Sequence, residues 1–299
     1  MACVTFESIG KSTMGKRPLY ARPHNVEDAV ALLAAAPRRL IAGGTDVFPA
    51  HVGRPLPSSV IDVTAIEPLR TITETEDIIR IGSGVTWSAI AAASLRPAFH
   101  GLQAAAREVG SIQIQNRGTI GGNLCNASPA ADGVPPLLTL DASVELMSVR
   151  GKRILPLSSF ITGYRQTALA PDEMLTAVLV PQPLANAQAA FGKLGARRYL
   201  VISIIMAAAV IARAEDGRIA RAAVAIGAAS PVARRLPDLE QALLGLDATA
   251  QPSTALQAAH LAGLSPIDDV RATAAYRSDA ALCLLADVID RAAGVPSRA

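Results

Sequence analysis

Aromatic side chains make up only 3% of this chain, charged residues 18%, and cysteine occurs three times in 299 residues. The scarcity of charge and that of cysteine each close a class of function. A formal net charge of +3, spread thinly, leaves no basic footprint for a nucleic acid, which is excluded as a partner. Cys3, Cys125 and Cys283 are odd in number, far apart and without C-x-x-C spacing, so they frame neither a disulfide scaffold nor a metal cluster. Cys125 reads as a small buried residue filling a gap. His24, His51, His100 and His260 are scattered, with no metal-ligand spacing and no Ser or Cys nucleophile beside them. The most apolar run, Val201 to Ile211, is well short of the roughly 20 residues that a spanning helix needs and reads as a buried strand. The stretch from Met1 to Lys16 is polar and mixed, and Arg17-Pro18 is not a twin-arginine pair; neither export signal is evident, and a cytoplasmic protein is expected.

What the chain does have is apolar mass, 51% by count, much of it alanine, enough for one large domain or two ordinary ones. With so few aromatics, the core must rely on Leu, Ile and Val and on close helix packing. Asn25 precedes an amphipathic run from Val26 with Glu27 and Asp28 in its first turn, which predicts a capped helix ending before Pro37. Strands are predicted over 59–63, 69–73, 78–81, 144–149 and 175–180, and helices over 87–93, after the capping residue Thr86, and over 102–109. Pro181-Gln182-Pro183 is the clearest punctuation and is taken as the main domain boundary. Beyond it, 189–194, 201–211 and 222–226 predict a three-stranded antiparallel sheet, with Glu215-Asp216-Gly217-Arg218 as a hairpin turn, covered by helices over 236–244, 255–264 and 274–293.

Two glycine pairs carry the chemistry. Leu40-Ile41 reads as a short buried strand running into Ala42-Gly43-Gly44-Thr45-Asp46, with a helix expected from Val47 to His51 whose positive end would face an anion. The second is Thr119-Ile120-Gly121-Gly122-Asn123, followed by Ser128 and Asp132. A paired glycine lets backbone N–H groups approach an anion closely and permits positive φ. One such turn suits a phosphate, two a pyrophosphate, and hence a dinucleotide. Neither has the G-x-G-x-x-G pattern of a Rossmann site.

These segments, with Tyr20-Ala21-Arg22-Pro23, Phe191-Gly192-Lys193 and Arg197-Arg198, resemble the FAD-binding medium subunits of molybdenum hydroxylases, the family of xanthine dehydrogenase, aerobic carbon monoxide dehydrogenase and nicotinate dehydrogenase. The resemblance covers nearly the whole chain. It implies an α+β fold: a two-part FAD-binding domain of the vanillyl-alcohol-oxidase/CO-dehydrogenase flavoprotein type over residues 1–183 (parts about 1–65 and 66–183), then a C-terminal domain over 184–299 with the three-stranded sheet and a helical bundle. It implies non-covalent FAD held by Leu40, Ile41, Ala42, Gly43, Gly44, Thr45 and Asp46 in the first loop and by Thr119, Gly121, Gly122, Asn123, Ser128 and Asp132 in the second. Met174 and Leu175 would flank the adenine or the isoalloxazine, and Lys193 would lie near the ring, where a cation favours the reduced anion. No residue reads as an acid, base or nucleophile for an organic substrate, which suits a flavin that only relays electrons. The implied partners are a large molybdopterin subunit and a small subunit with two [2Fe-2S] clusters, in a dimer of heterotrimers; the metals belong to them. Two alternatives stay open: a stand-alone FAD-dependent oxidoreductase, and a flavin-free scaffold of the same complex.

Overall fold

Asn25 caps the first helix as its sequence predicts, its side chain accepting from the Asp28 amide at 2.7 Å. Helix α1 (Val26–Ala35) then lays Ala29, Val30 and Leu33 against Ile61, Ile66, Leu69 and Met174. The computed structural model describes residues 20–56, 59–183, 185–247 and 251–296. The leader expectation over Met1–Pro18 and Cys3 lies outside the described residues. Beside α1 stand β1 (Tyr20–Ala21), β2 (Arg39–Ile41) and β3 (Val60–Asp62), a parallel sheet in the order β1-β3-β2. Strand β3 stops at Asp62, short of the predicted 63, because the Asp62 carboxylate accepts from the Thr64 amide at 2.9 Å and turns the chain into a 3-10 turn.

A second sheet runs β4 (Ile72–Glu74), β5 (Ile78–Gly82), β10 (Met174–Pro181), β6 (Ser143–Ser148), β7 (Gly151–Pro156), antiparallel throughout. The strand predicted over 69–73 is halved, because Pro68 opens a 3-10 turn over Glu67–Arg70. Against this sheet pack α2 (Trp87–Ala92), α3 (His100–Glu108), α4 (Ile112–Arg117), α5 (Ile120–Asn126), α6 (Val134–Thr139) and α7 (Leu157–Phe160), with Trp87, Phe99, Leu102 and Leu137 in its core. Thr86 caps α2 by accepting from Ala89 N at 3.2 Å. A small hairpin, β8 (Ile161–Gly163) and β9 (Gln166–Thr167), projects toward the first sheet's end.

The third sheet comprises β11 (Gln188–Leu194), β12 (Ile205–Arg213), β13 (Ile219–Gly227) and β14 (Arg234–Arg235). It has four strands where three were expected. The extra edge pairs Arg234 and Arg235 with Ile226 and Ala225, and Arg235 is held by Glu240 at 2.8 Å. Strand β12 begins at Ile205 rather than 201, the residues before it being drawn out of the ladder by a buried contact of Ser203 described below. Helix α8 (Pro237–Leu243) and helix α9 (Ala274–Ala292) cover the sheet, α9 burying Leu285, Val288 and Ile289, each worth about 1.5–3 kcal/mol of apolar transfer. The helix predicted over 255–264 is instead two 3-10 turns, Pro252–Ala255 and Ala258–Leu261. His260 Nδ1 accepts from Gln257 N at 3.0 Å and closes the second turn locally, so among the described residues it is α8 and α9, with these turns, that back the sheet. Among the described residues, no helix is long and apolar enough to cross a membrane.

Candidate cofactor site

Ligand sites in parallel sheets form beyond the carboxyl ends of the strands, and β2 runs there directly into Ala42–Phe48. The two glycines are required for different reasons. Gly44 has φ +70°, and its turn is closed by Phe48 N donating to Gly44 O at 3.0 Å. At Gly43 the reason is proximity: a Cβ there would lie 1.8 Å from the Arg117 carbonyl oxygen, so the loop touches the backbone that leads into α5. Among the described residues, nothing accepts a hydrogen bond from the amides of Gly43, Gly44, Thr45 or Asp46. The helix expected over 47–51 is only one 3-10 turn, Pro49–His51, because Pro49 starts it afresh. Among the described residues no longer helix follows this loop, and its amides are left without an acceptor.

The second glycine pair is not a turn but the first turn of α5. Thr119 caps it, Oγ1 accepting from Gly122 N at 3.0 Å. Gly121 faces inward, where a Cβ would sit 2.7 Å from the Ser83 carbonyl oxygen. Gly122 faces out, with only Thr119 Oγ1 at 3.0 Å from its would-be Cβ, and gives the helix a smooth face toward the first loop. Positive φ is thus needed at Gly44 alone.

Between the loops lies a cleft of about 650 Å³, within the range of roughly 300–1,000 Å³ usual for small-ligand sites. Leu40, Ile41, Ala42, Gly43, Gly44, Thr45, Asp46, Thr119, Gly122 and Asn123 all line it. The structure also contributes residues the motifs missed: Trp87, Val109, Ile114, Asn126 and Arg165. Arg165, at φ +52° in the β8–β9 turn, donates to Asn126 Oδ1 at 2.7 Å and to Asp46 Oδ2 at 3.3 Å, bridging the two walls. A non-glycine residue in a tight turn, Gly163-Tyr164-Arg165-Gln166, was its only trace in the sequence. Cys125, expected as a buried gap-filler, is exposed on the cleft wall.

The remaining predicted residues lie off the cleft. Gly121 is one layer behind it. Ser128 closes a local turn, its hydroxyl accepting from Ala130 N at 3.2 Å. Met174 and Leu175 are 1% and 5% exposed, Met174 under α1 and Leu175 in the large core. Asp132 and Lys193 meet each other, Nζ to Oδ2 at 2.7 Å, with side chains 8% and 6% exposed. Burial raises the Asp132 carboxyl above its usual range, and the Lys193 ammonium and the Ser203 hydroxyl check that rise. Lys193 also borders a second recess of about 630 Å³, with Glu108, Arg197, Arg198 and Arg291. Glu108 lines this recess, and the next residue, Val109, lines the cleft.

These features fit a dinucleotide with a flat ring. Among the described residues the four amides of Gly43–Asp46 have no acceptor, the glycine faces leave no Cβ in the way, and Asn123 Oδ1 is buried without a partner. The class this defines is a two-loop flavin-binding protein.

Comparison with known proteins gives the family. Residues 11–183 match the FAD binding domain in molybdopterin dehydrogenase, and residues 190–292 the CO dehydrogenase flavoprotein C-terminal domain. The chain is 34% identical to the nicotine 6-hydroxylase medium subunit of Paenarthrobacter nicotinovorans over 86% of this chain and 91% of that one. It is equally 34% identical to the xanthine dehydrogenase FAD-binding subunit of Escherichia coli O157:H7, over 86% and 90%. The nicotinate dehydrogenase FAD-subunit of Eubacterium barkeri is 41% identical over 61% of this chain and 64% of that one. Among solved structures, reconstituted CO dehydrogenase from Oligotropha carboxidovorans superposes with a TM-score of 0.86 at 27% identity, over 95% of this chain and 100% of that one. The chain belongs to the family of FAD-binding subunits of the molybdenum hydroxylases, and it is an oxidoreductase subunit of that kind.

Proposed function

We propose that this chain holds FAD across the cleft and takes electrons from the [2Fe-2S] clusters of a small partner subunit to an external acceptor, in a cytoplasmic dimer of heterotrimers completed by a molybdopterin subunit. The observation that carries the reading is the convergence of two chain-distant loops, four unpartnered amides on one and a smooth glycine face on the other. The Gly43–Asp46 amides would hold the pyrophosphate, assisted by Thr119 and Asn123, and the apolar faces of Ile41, Val109 and Ile114 would exclude water from the bound cofactor. Arg165 would close the wall over the phosphates and lend positive charge. Gly121, Ser128, Met174 and Leu175 serve from behind, keeping helix α5, its following turn and strand β10 in place. Asp132 holds the Lys193 ammonium at the second recess, where it would lie near the flavin edge. When bound, FAD supplies reversible one- and two-electron transfer. The division into residues 1–183 and 184–299, with parts about 1–65 and 66–183, belongs to the same reading, the C-terminal domain bringing Lys193 to a site otherwise built by the first.

The test is the visible spectrum of the purified chain, before and after denaturing release of any chromophore. FAD in the supernatant supports the reading. No flavin after reconstitution with excess FAD overturns it in favour of a flavin-free scaffold, and turnover of an organic substrate by the chain alone would favour a stand-alone oxidoreductase.

A further inference from the structure

One carboxylate fastens both ends of a loop. Lys193, the penultimate residue of β11, donates to Asp132 Oδ2 at 2.7 Å, and Ser203, just before β12, donates its hydroxyl proton to Asp132 Oδ1 at 2.6 Å. Ser203 is fully buried, and Ile204 N donates to Leu194 O at 2.8 Å to close the base of the loop between them. The loop itself is exposed at Tyr199, Leu200 and Ile202, so its sequence places Ser203 inward for a reason other than apolar packing. A buried hydroxyl could have turned to any nearby carbonyl; here it is spent on an ionised group, and a bond of that kind favours the charged form of its acceptor.

Lys193 has a second partner, the Glu108 carbonyl oxygen at 3.3 Å. That leaves one ammonium proton with no acceptor among the described residues, on a side chain that is nine-tenths buried and borders the second recess. The direction of this proton depends on where the Asp132 carboxylate is held. Among the described residues the Asp132 carboxylate has two polar side-chain partners, Lys193 and Ser203.

We propose that Ser203 is a positioning residue for the flavin edge: its hydroxyl fixes the Asp132 carboxylate, and through it the direction of the Lys193 ammonium. This rests on the FAD reading above. Around the carboxylate the charged groups are Lys193 on β11 and Glu108 at the end of α3, with Arg197, Arg198 and Arg291 on the far side of the recess. Glu108 raises the Asp132 carboxyl and Lys193 lowers it, so loss of the Ser203 donor shifts the balance toward the protonated acid.

Ser203→Ala and Ser203→Thr are compared in the full chain. In the flavin-free protein, the Asp132 carboxyl is titrated by carbon-13 NMR, its signal assigned with Asp132→Asn. In the FAD-loaded protein, the reduction potential is followed from pH 5 to 9. The expected result is an Asp132 midpoint at higher pH in Ser203→Ala and a matching displacement of the break in the potential–pH plot, with Ser203→Thr restoring both. Trypsin cleavage after Arg197 or Arg198 reports separately on the loop. Faster cleavage in Ser203→Ala, with unchanged Asp132 titration and potential, would show a purely structural serine and overturn the proposal. If wild-type chain binds no FAD, the functional reading fails instead, and the titration arm still shows whether Ser203 controls Asp132.

Discussion

Replacing Gly122 with alanine separates ligand binding from folding, because its methyl would project from the face of α5 that borders the cleft. The only atom it would crowd is Thr119 Oγ1, at 3.0 Å, on its own helix cap. Alanine in place of helical glycine stabilises by up to about 1 kcal/mol, and the slight crowding of the cap offsets part of that. The melting temperature of Gly122→Ala should therefore stay within roughly 2 °C of wild type, at 2–4 °C per kcal/mol for a chain of this order of size. Affinity for FAD should nevertheless fall. A methyl that keeps a phosphate from the loop opposite forfeits at least one charge-assisted N–H bond, about 1.5–3 kcal/mol, or roughly 10- to 150-fold in Kd. Gly43→Ala is the contrasting control. Its methyl would stand 1.8 Å from the Arg117 oxygen and 2.5 Å from the Arg117 carbonyl carbon, both backbone. Forcing the loops apart should cost about 3 kcal/mol, lowering the melting temperature by roughly 6–12 °C. Calorimetry with and without FAD, together with flavin-fluorescence titration, measures both quantities. Wild-type FAD affinity in a stably folded Gly122→Ala variant would refute the assignment of that helix face to the ligand.

Trp87 is the chain's single tryptophan, is 1% exposed and lines the cleft, so FAD titration should quench its fluorescence saturably; an unchanged emission would place the ligand elsewhere. Lys193→Met leaves the buried Asp132 carboxylate with only Ser203, and breaking such a pair costs about 3–5 kcal/mol. The sign with pH follows from the raised Asp132 carboxyl, which rises further without Lys193: stability is highest below the ordinary carboxylate range and is lost as pH climbs through the folded-state value. The melting deficit of Lys193→Met should therefore be smaller at pH 5 than at pH 8. Arg277 is 2% exposed, donates to the Ala228 carbonyl at 3.3 Å, to the Ile204 carbonyl, and to Asp269 at 2.8 Å. Arg277→Met should cost about 3 kcal/mol. Arg271 first, and Arg277 with it, hold the Asp269 carboxyl far below its usual range, so this deficit should persist unchanged between pH 8 and pH 5.

Much of this architecture was legible because its determinants are local. The Asn25 and Thr86 caps, the short apolar runs of β6 and β10 and the Gly217 hairpin turn, at φ +83°, each depend on a handful of adjacent residues. The first loop was legible as an anion site for the same reason. What the sequence hid is what depends on distant partners. Gly121 and Gly122 look like a turn, and only the Thr119 cap and the backbone of Ser83 make them a helix start. Pro49 begins a 3-10 turn, and Pro68 stands in the opening of another, where the sequence suggested a longer element. Arg165 reaches Asp46 across 119 positions, and the Ser203 contact crosses 71, so no local pattern announces either.

The close passage of Gly43 against Arg117 has a consequence for how the protein comes to be. These segments are 117 − 43 = 74 residues apart, and the cradle exists only once a long-range closure has brought their backbones together. A dinucleotide spanning both walls would therefore act as mortar during biogenesis, adding RT ln(1 + [L]/Kd) to the stability of the closed form. Chains made in flavin-starved cells would finish their sheets and helices yet leave this seam ajar, and riboflavin supply would set the yield of intact subunit as well as its colour.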